Sequence, residues 1–200
     1  MSQMRDFIIS RVRNELLCLL FDNPQQMFYV RELTRMSGEE INAVRRELDH
    51  LDHAGIIIKE KRGNRVYYQA NFNYDYGEDI LSIVAKSVGI GLAIRDNRKD
   101  LGKIKFAMLS GKYARNKSRE KGEIDLLLVG NINLEKLNEL IKKEEARRET
   151  EINYTVMNQE EFIFRKSRRD PFLLGILSRS RIMIIGDEEG LVDKAGPEVE

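Results

Sequence analysis

Two acids two residues apart, Glu123 and Asp125, stand directly before the apolar run Leu126-Leu127-Leu128-Val129. A short aliphatic run bounded by turn-formers reads as a buried strand. On a strand, the i, i+2 spacing puts both carboxylates on one face. A turn led by Gly111 comes earlier, after a second apolar run, Phe106-Ala107-Met108-Leu109. A Lys/Arg-rich loop joins the turn to the acids. This is the layout of a nucleotide-and-metal site, and it is also a layout that can outlive its chemistry.

Composition bounds the rest. A chain of 200 residues allows one domain or two small ones. With 42% hydrophobic and 34% charged residues, it suits a globular protein with a highly charged surface. Cys18, the lone cysteine, lies in Leu16-Leu17-Cys18-Leu19-Leu20 and reads as core, which leaves no disulfide and no cysteine-based metal site. His50 and His53 fall in one helical pattern and read as a half-exposed helix face rather than a metal pair. No apolar stretch is long enough to span a membrane, so no membrane partner and a cytoplasmic location are expected. The net charge of +1 does not mark a nucleic-acid binder, so local charge has to be read instead.

The N-terminal part, residues 1–76, reads as three helices and a hairpin. Apolar spacing predicts a helix over 5–21, ended by Asp22-Asn23-Pro24. A short helix over 30–36, a Ser37-Gly38 turn and a helix over 39–53 follow. Two β-rich runs around Gly63-Asn64, over 56–61 and 65–70, predict a hairpin. The order is that of a winged helix-turn-helix, in which the second helix of the pair enters the major groove. The stretch Val44–Asn71, with its "GNRVYY" hairpin and "AGII" helix exit, resembles the recognition helix and wing of ArsR-like winged-helix regulators. That family's cysteine metal-sensor motif is absent, so metal sensing is not implied.

The resemblance implies double-stranded DNA as a partner. The DNA-facing candidates are Arg31, Arg35, Asn42, Arg45 and Arg46 on the helices, and Lys59, Lys61, Arg62 and Arg65 on the wing. Arg can reach guanine edges or phosphates, Asn can pair with adenine, and wing lysines would neutralise phosphates. Glu39 and Glu40 at the start of the recognition helix weaken the positive field there, and favour the helix N-terminus instead. The competing reading is a solvated surface, with Arg45 or Arg46 paired to Asp49.

Residues 77–102 read as one long connecting helix to about position 99, with loosening points at Gly89 and Gly91 and a cap at Asp75 or Gly77. Its apolar residues fall on more than one side, so it packs within the chain or against a second copy in a homodimer. From 103 to 186 strands alternate with helices: strands over 104–109, 124–129, 151–157 and 182–185, and helices over 134–148, from 160 and from 171. The fold class is therefore α+β, a winged helix followed by a small α/β domain with a mixed sheet. The acidic stretch 187–200 is expected to be poorly ordered.

The stretch "SGKYARNKSREKGEIDLLLVG" resembles the minimal nucleotidyltransferases of the DNA-polymerase-β-like superfamily. The resemblance implies a turn at Gly111, Lys112 and Arg115 that cradles a nucleoside triphosphate. It also implies Glu123 and Asp125 as catalytic acids holding Mg²⁺, which offsets charge on the leaving pyrophosphate. A small helical partner protein also goes with that family.

Three departures bear on activity. Lys112 stands where the family has Ser, and Glu123 where it has Asp. Asn153 stands where the third acid is expected, with Glu151 two residues away as a substitute metal ligand. Residues 95–121 carry ten Lys/Arg against three Asp/Glu, a positive surface that includes Lys103, Lys105, Lys117, Arg119 and Lys121. The expectation is a DNA-binding transcriptional regulator with an inactive nucleotidyltransferase-like domain used for ligand sensing or oligomerisation. The alternative is an active nucleotidyltransferase targeted by its winged helix.

Overall fold

The computed structural model describes residues 8–192. Among them the chain is mixed α+β, with eleven helices and two sheets. It divides into two compact units between Val88 and Gly89.

The first unit opens with α1 (Arg11–Asp22). Ser10 caps it, its hydroxyl accepting from the Arg13 N–H at 3.2 Å. The predicted helix therefore begins later, since Ile8 and Ile9 are not helical. Residues 5–7 lie outside the described residues. Next come β1 (Phe28–Tyr29), α2 (Val30–Ser37), α3 (Ile41–His53), β2 (Ile57–Arg62), β3 (Arg65–Ala70) and α4 (Gly77–Ser87). Gly38 takes the left-handed conformation that ends α2, with φ of 68°. Glu40 caps α3, its carboxylate accepting from the Ala43 N–H at 3.0 Å. The acid at the head of this helix is thus spent on its N-terminus.

The expected hairpin forms as β2–β3, with Ile57 facing Ala70 and Arg62 facing Arg65. A two-residue strand, β1, adds to β3, giving the order β1-β3-β2. Two residues are too few to show a period. Leu16, Leu20, Phe21, Phe28, Leu33 and Leu48 are fully buried and form the centre of this unit. Cys18 is half-buried beside them, and burial pushes its thiol up to about 12. Arg13 on α1 reaches the buried Glu47 on α3 at 2.5 Å, so the charge that α3 buries is paired.

The expected single connecting helix is broken. Val88 is extended (φ −137°, ψ 170°) and Gly89 has φ of 56°, which stops α4. The α4 N-cap is Tyr76, with no side-chain cap bond, rather than Asp75 or Gly77. The helix packs on α1 within the first unit.

The second unit begins with α5 (Gly89–Asp96), α6 (Arg98–Leu101), β4 (Gly102–Ser110), α7 (Gly111–Ala114) and β5 (Leu126–Ile132). Then follow α8 (Leu134–Arg148), β6 (Tyr154–Met157), α9 (Gln159–Ser167), α10 (Pro171–Leu177), β7 (Arg181–Ile185) and α11 (Glu188–Val192). The sheet order is β6-β5-β4-β7, with β5–β6 parallel and the other pairs antiparallel, so the sheet is mixed. One sheet face packs Met108, Leu127 and Val129 against Phe162, Leu173 and Ile176.

Four expectations shift. The 124–129 strand starts only at Leu126, and the 151–157 strand only at Tyr154, so Glu123, Asp125, Glu151 and Asn153 lie on the approaches to strands. Leu134 is exposed; α8 buries Leu137, Leu140, Ile141 and Glu144 instead. The acidic end is helical over Glu188–Val192, with Leu191 fully buried. Residues 193–200 of the expected tail lie outside the described residues. No helix among the described residues is long and apolar enough to cross a membrane.

Candidate functional site

The Gly111 turn lies beside the two acids, with Lys112 of the turn in contact with Glu123. β4 runs into α7, and Ser110 caps it by accepting from the Tyr113 N–H at 3.1 Å. The Gly111 N–H donates to the Ser180 carbonyl at 2.7 Å. A Cβ on Gly111 would lie 2.2 Å from Ser180 Oγ, so glycine here permits a close approach between two chain segments. Two amides of the turn are thereby engaged within the chain. Arg115 folds back, its guanidinium donating to the Gly111 carbonyl at 3.0 Å.

Lys112 dominates the mouth of the site. Its Nζ lies 2.8 and 2.9 Å from the two Glu123 oxygens and 3.0 Å from Glu120. Glu123 also accepts the Glu120 N–H at 2.6 Å and faces Arg179 at 3.2 Å. Asp125 takes the Arg119 guanidinium at 2.5 Å and the Asn153 N–H at 2.8 Å. Arg119 is pinned further by the Glu151 carbonyl at 2.7 Å. Glu123 and Asp125 are 5% and 4% exposed, so these cations supply the compensation that buried carboxylates require. The Lys112 hydrogen bond, then the Glu120 amide, holds the Glu123 carboxyl below the usual carboxylate range. Glu123, then Glu120, raises the Lys112 ammonium above its ordinary value.

Asn153 has a structural task. Its side-chain amide donates to the Glu123 carbonyl at 2.6 Å. An aspartate could not donate there. Glu151 is exposed and offers the site its backbone carbonyl. Behind the turn, the buried Glu144 on α8 takes Tyr113 Oη at 3.3 Å, Arg147 at 2.7 Å and Arg148 at 2.9 Å. Arg148 also lies over the Tyr113 ring, 4.4 Å from its centroid. This clamp escaped the sequence reading because Glu144, Arg147 and Arg148 resemble any solvated i, i+3, i+4 set. Arg179 escaped it too, since nothing local ties Ser178-Arg179-Ser180 to Glu123.

The residues present do not fit a pair of divalent ions. Mg²⁺ prefers near-octahedral oxygen ligation. Here both Glu123 oxygens already accept from Lys112, and Asp125 accepts from Arg119 and from the Asn153 N–H through Oδ2. Three carboxylates (Glu120, Glu123, Asp125) meet three cations (Lys112, Arg119, Arg179), so the cluster is already neutral. Among the described residues, no group of three or more His, Cys, Asp or Glu is placed to hold a metal ion.

The first unit presents a different surface. All nine sequence candidates, Arg31, Arg35, Asn42, Arg45, Arg46, Lys59, Lys61, Arg62 and Arg65, are exposed. Asn42, Arg45, Arg46 and Asp49 follow helical spacing along one side of α3, opposite the buried Val44, Leu48 and Leu51. His50 and His53 are exposed on the same helix. On the hairpin, Arg62 pairs with Glu60 at 2.8 Å, and Lys59 lies 3.5 Å from Asp52. Arg65 stacks over Tyr29 at 5.1 Å. The expected pairing of Arg45 or Arg46 with Asp49 does not form; Asp49 instead lies 3.8 Å from Lys59. The remaining basic-loop residues Lys103, Lys105, Lys117 and Lys121 are exposed in the second unit.

The molecule is thus an α+β chain with a cluster of paired acids and cations in one unit, and a helix exposing Asn42, Arg45 and Arg46 followed by a basic hairpin in the other. No family model, no curated protein and no solved structure matches it.

Proposed function

We propose that the chain is a DNA-binding transcriptional regulator of winged-helix type, acting on double-stranded DNA in the cytoplasm. Its second unit is a nucleotidyltransferase-like fold that does not catalyse and serves ligand sensing or oligomerisation. A homodimer would present two copies of α3 to two half-sites.

One observation carries the DNA-binding reading. A tight turn joins α2 to α3, the β2–β3 hairpin follows, and all nine polar candidates on these elements face solvent. In this layout α3 supplies base contacts through Asn42, Arg45 and Arg46, and the hairpin supplies phosphate contacts through Lys61, Arg62 and Arg65. The loss of catalysis is supported by Lys112 and Arg119, which occupy the carboxylates that a metal would need.

Fluorescence anisotropy with a mixed-sequence DNA duplex tests the reading. Binding at low salt that weakens about tenfold or more in Arg45→Ala/Arg46→Ala is the expected result. Absence of binding at low salt, or binding indifferent to that double replacement, overturns it.

The second reading, an active nucleotidyltransferase, draws on the placement of Glu123 and Asp125 beside the Gly111 turn. It predicts transfer of label from a nucleoside triphosphate, with Mg²⁺, that is lost in Asp125→Ala.

A further inference from the structure

We infer that Lys112 and Arg119 are resident counter-ions of the second unit, standing in for divalent metal: they hold the two buried acids and strap the 115–122 loop across them. The inference does not rest on DNA binding by the first unit.

Buried carboxylates at the head of a strand need positive charge close by. Here the chain itself supplies it, and does so acid by acid. Lys112 reaches Glu123 from α7, and Arg119 reaches Asp125 from the loop. The loop is tied at three further points. The Glu120 N–H donates to Glu123, the Glu120 carboxylate takes Lys112, and Arg119 donates to the Glu151 carbonyl. A metal ion entering this site would have to displace Lys112 from both Glu123 oxygens. It would then sit among three cations already balanced by three carboxylates.

The sequence departures agree with this picture on physical grounds. Serine at position 112 is too short to reach Glu123 with a charge, whereas lysine delivers an ammonium. Glutamate at 123 has the length to meet that ammonium with both oxygens. Asparagine at 153 donates where a third carboxylate would repel. The three changes work as one set that exchanges metal for side-chain cations.

Thermal unfolding of the full chain in EDTA and in millimolar Mg²⁺ or Mn²⁺ tests this, with Mn²⁺ electron paramagnetic resonance to count bound ions. The wild type is expected to melt at the same temperature in all three solutions and to bind no Mn²⁺ at the second unit. Lys112→Gln is expected to lower Tm, and Lys112→Gln/Glu123→Gln to recover most of the loss, because the second change removes a buried carboxylate left with Arg179 as its one cation. Saturable stabilisation of the wild type by a divalent ion, abolished in Asp125→Asn, would overturn the inference. So would a Lys112→Gln variant as stable as wild type in EDTA, or a double variant that recovers nothing. If Lys112→Gln does not fold, the folded double variant and the metal-indifferent wild type still decide the point.

Discussion

Glu123 shows how a buried carboxylate can be matched by a cation from its own chain. Its carboxyl is depressed by Lys112, and Lys112 is raised by it. A depressed acid contributes stability above its unfolded pKa of about 4.3, and that contribution is lost as pH falls through the lower folded value. A raised lysine contributes below about 10.4, and loses it as pH rises through the higher folded value. The stability gap between wild type and Glu123→Gln is therefore expected to be flat from about pH 5 to 10 and to narrow on both sides. Equilibrium urea unfolding across pH reads this directly, and a gap that widens in acid would contradict it. Asn153→Asp is expected to cost about 1 kcal/mol at pH 7, because the donor to the Glu123 carbonyl is lost and a charge is added beside Asp125. The identity of these residues was legible in the sequence. Their partners were not: Arg119 is one of several cations in the loop leading to the acids and nothing local singles it out, and Arg179 approaches from a segment distant in sequence.

Among the elements, the β4–β5 pair sets the geometry. Their register shifts between Ile104 and Phe106, a bulge that bends the strand. Gly130 sits opposite with φ of 148°, and a Cβ there would lie 2.1 Å from the Lys103 carbonyl. Gly130→Ala is expected to destabilise the protein by about 2 kcal/mol or more, measurable as a lowered Tm. An unchanged Tm would mean that the bulge relaxes freely. Helices α3 and α8 could be read from periodicity, and the hairpin from the two β-rich runs around Gly63-Asn64. The misses have physical causes. The β1 strand is too short for a period, and the 77–102 pattern ran through Val88 because its apolar residues continue on both sides of the break. At the acidic end the charges concealed Leu191, which anchors α11 in the core.

For the whole molecule, the two units divide the chemistry. The second unit sets a Gly-led turn beside two buried acids and pairs those acids with its own cations. The first keeps its cations exposed. Among them, Arg45 and Arg46 are exposed on α3, where they share the field of the Glu40 carboxylate at its head, and that exposure is what phosphate or base contacts require. If each arginine meets a phosphate, the salt dependence of binding becomes shallower by about one unit of slope per residue removed. The most direct measurement is the affinity of the full chain for a DNA duplex across a salt series, beside Arg45→Ala/Arg46→Ala. A steep loss of affinity with salt, made shallower and weaker by the double replacement, is the predicted result. A chain that ignores duplex DNA at low salt, or a double variant with the same affinity and the same slope, would contradict DNA binding through α3.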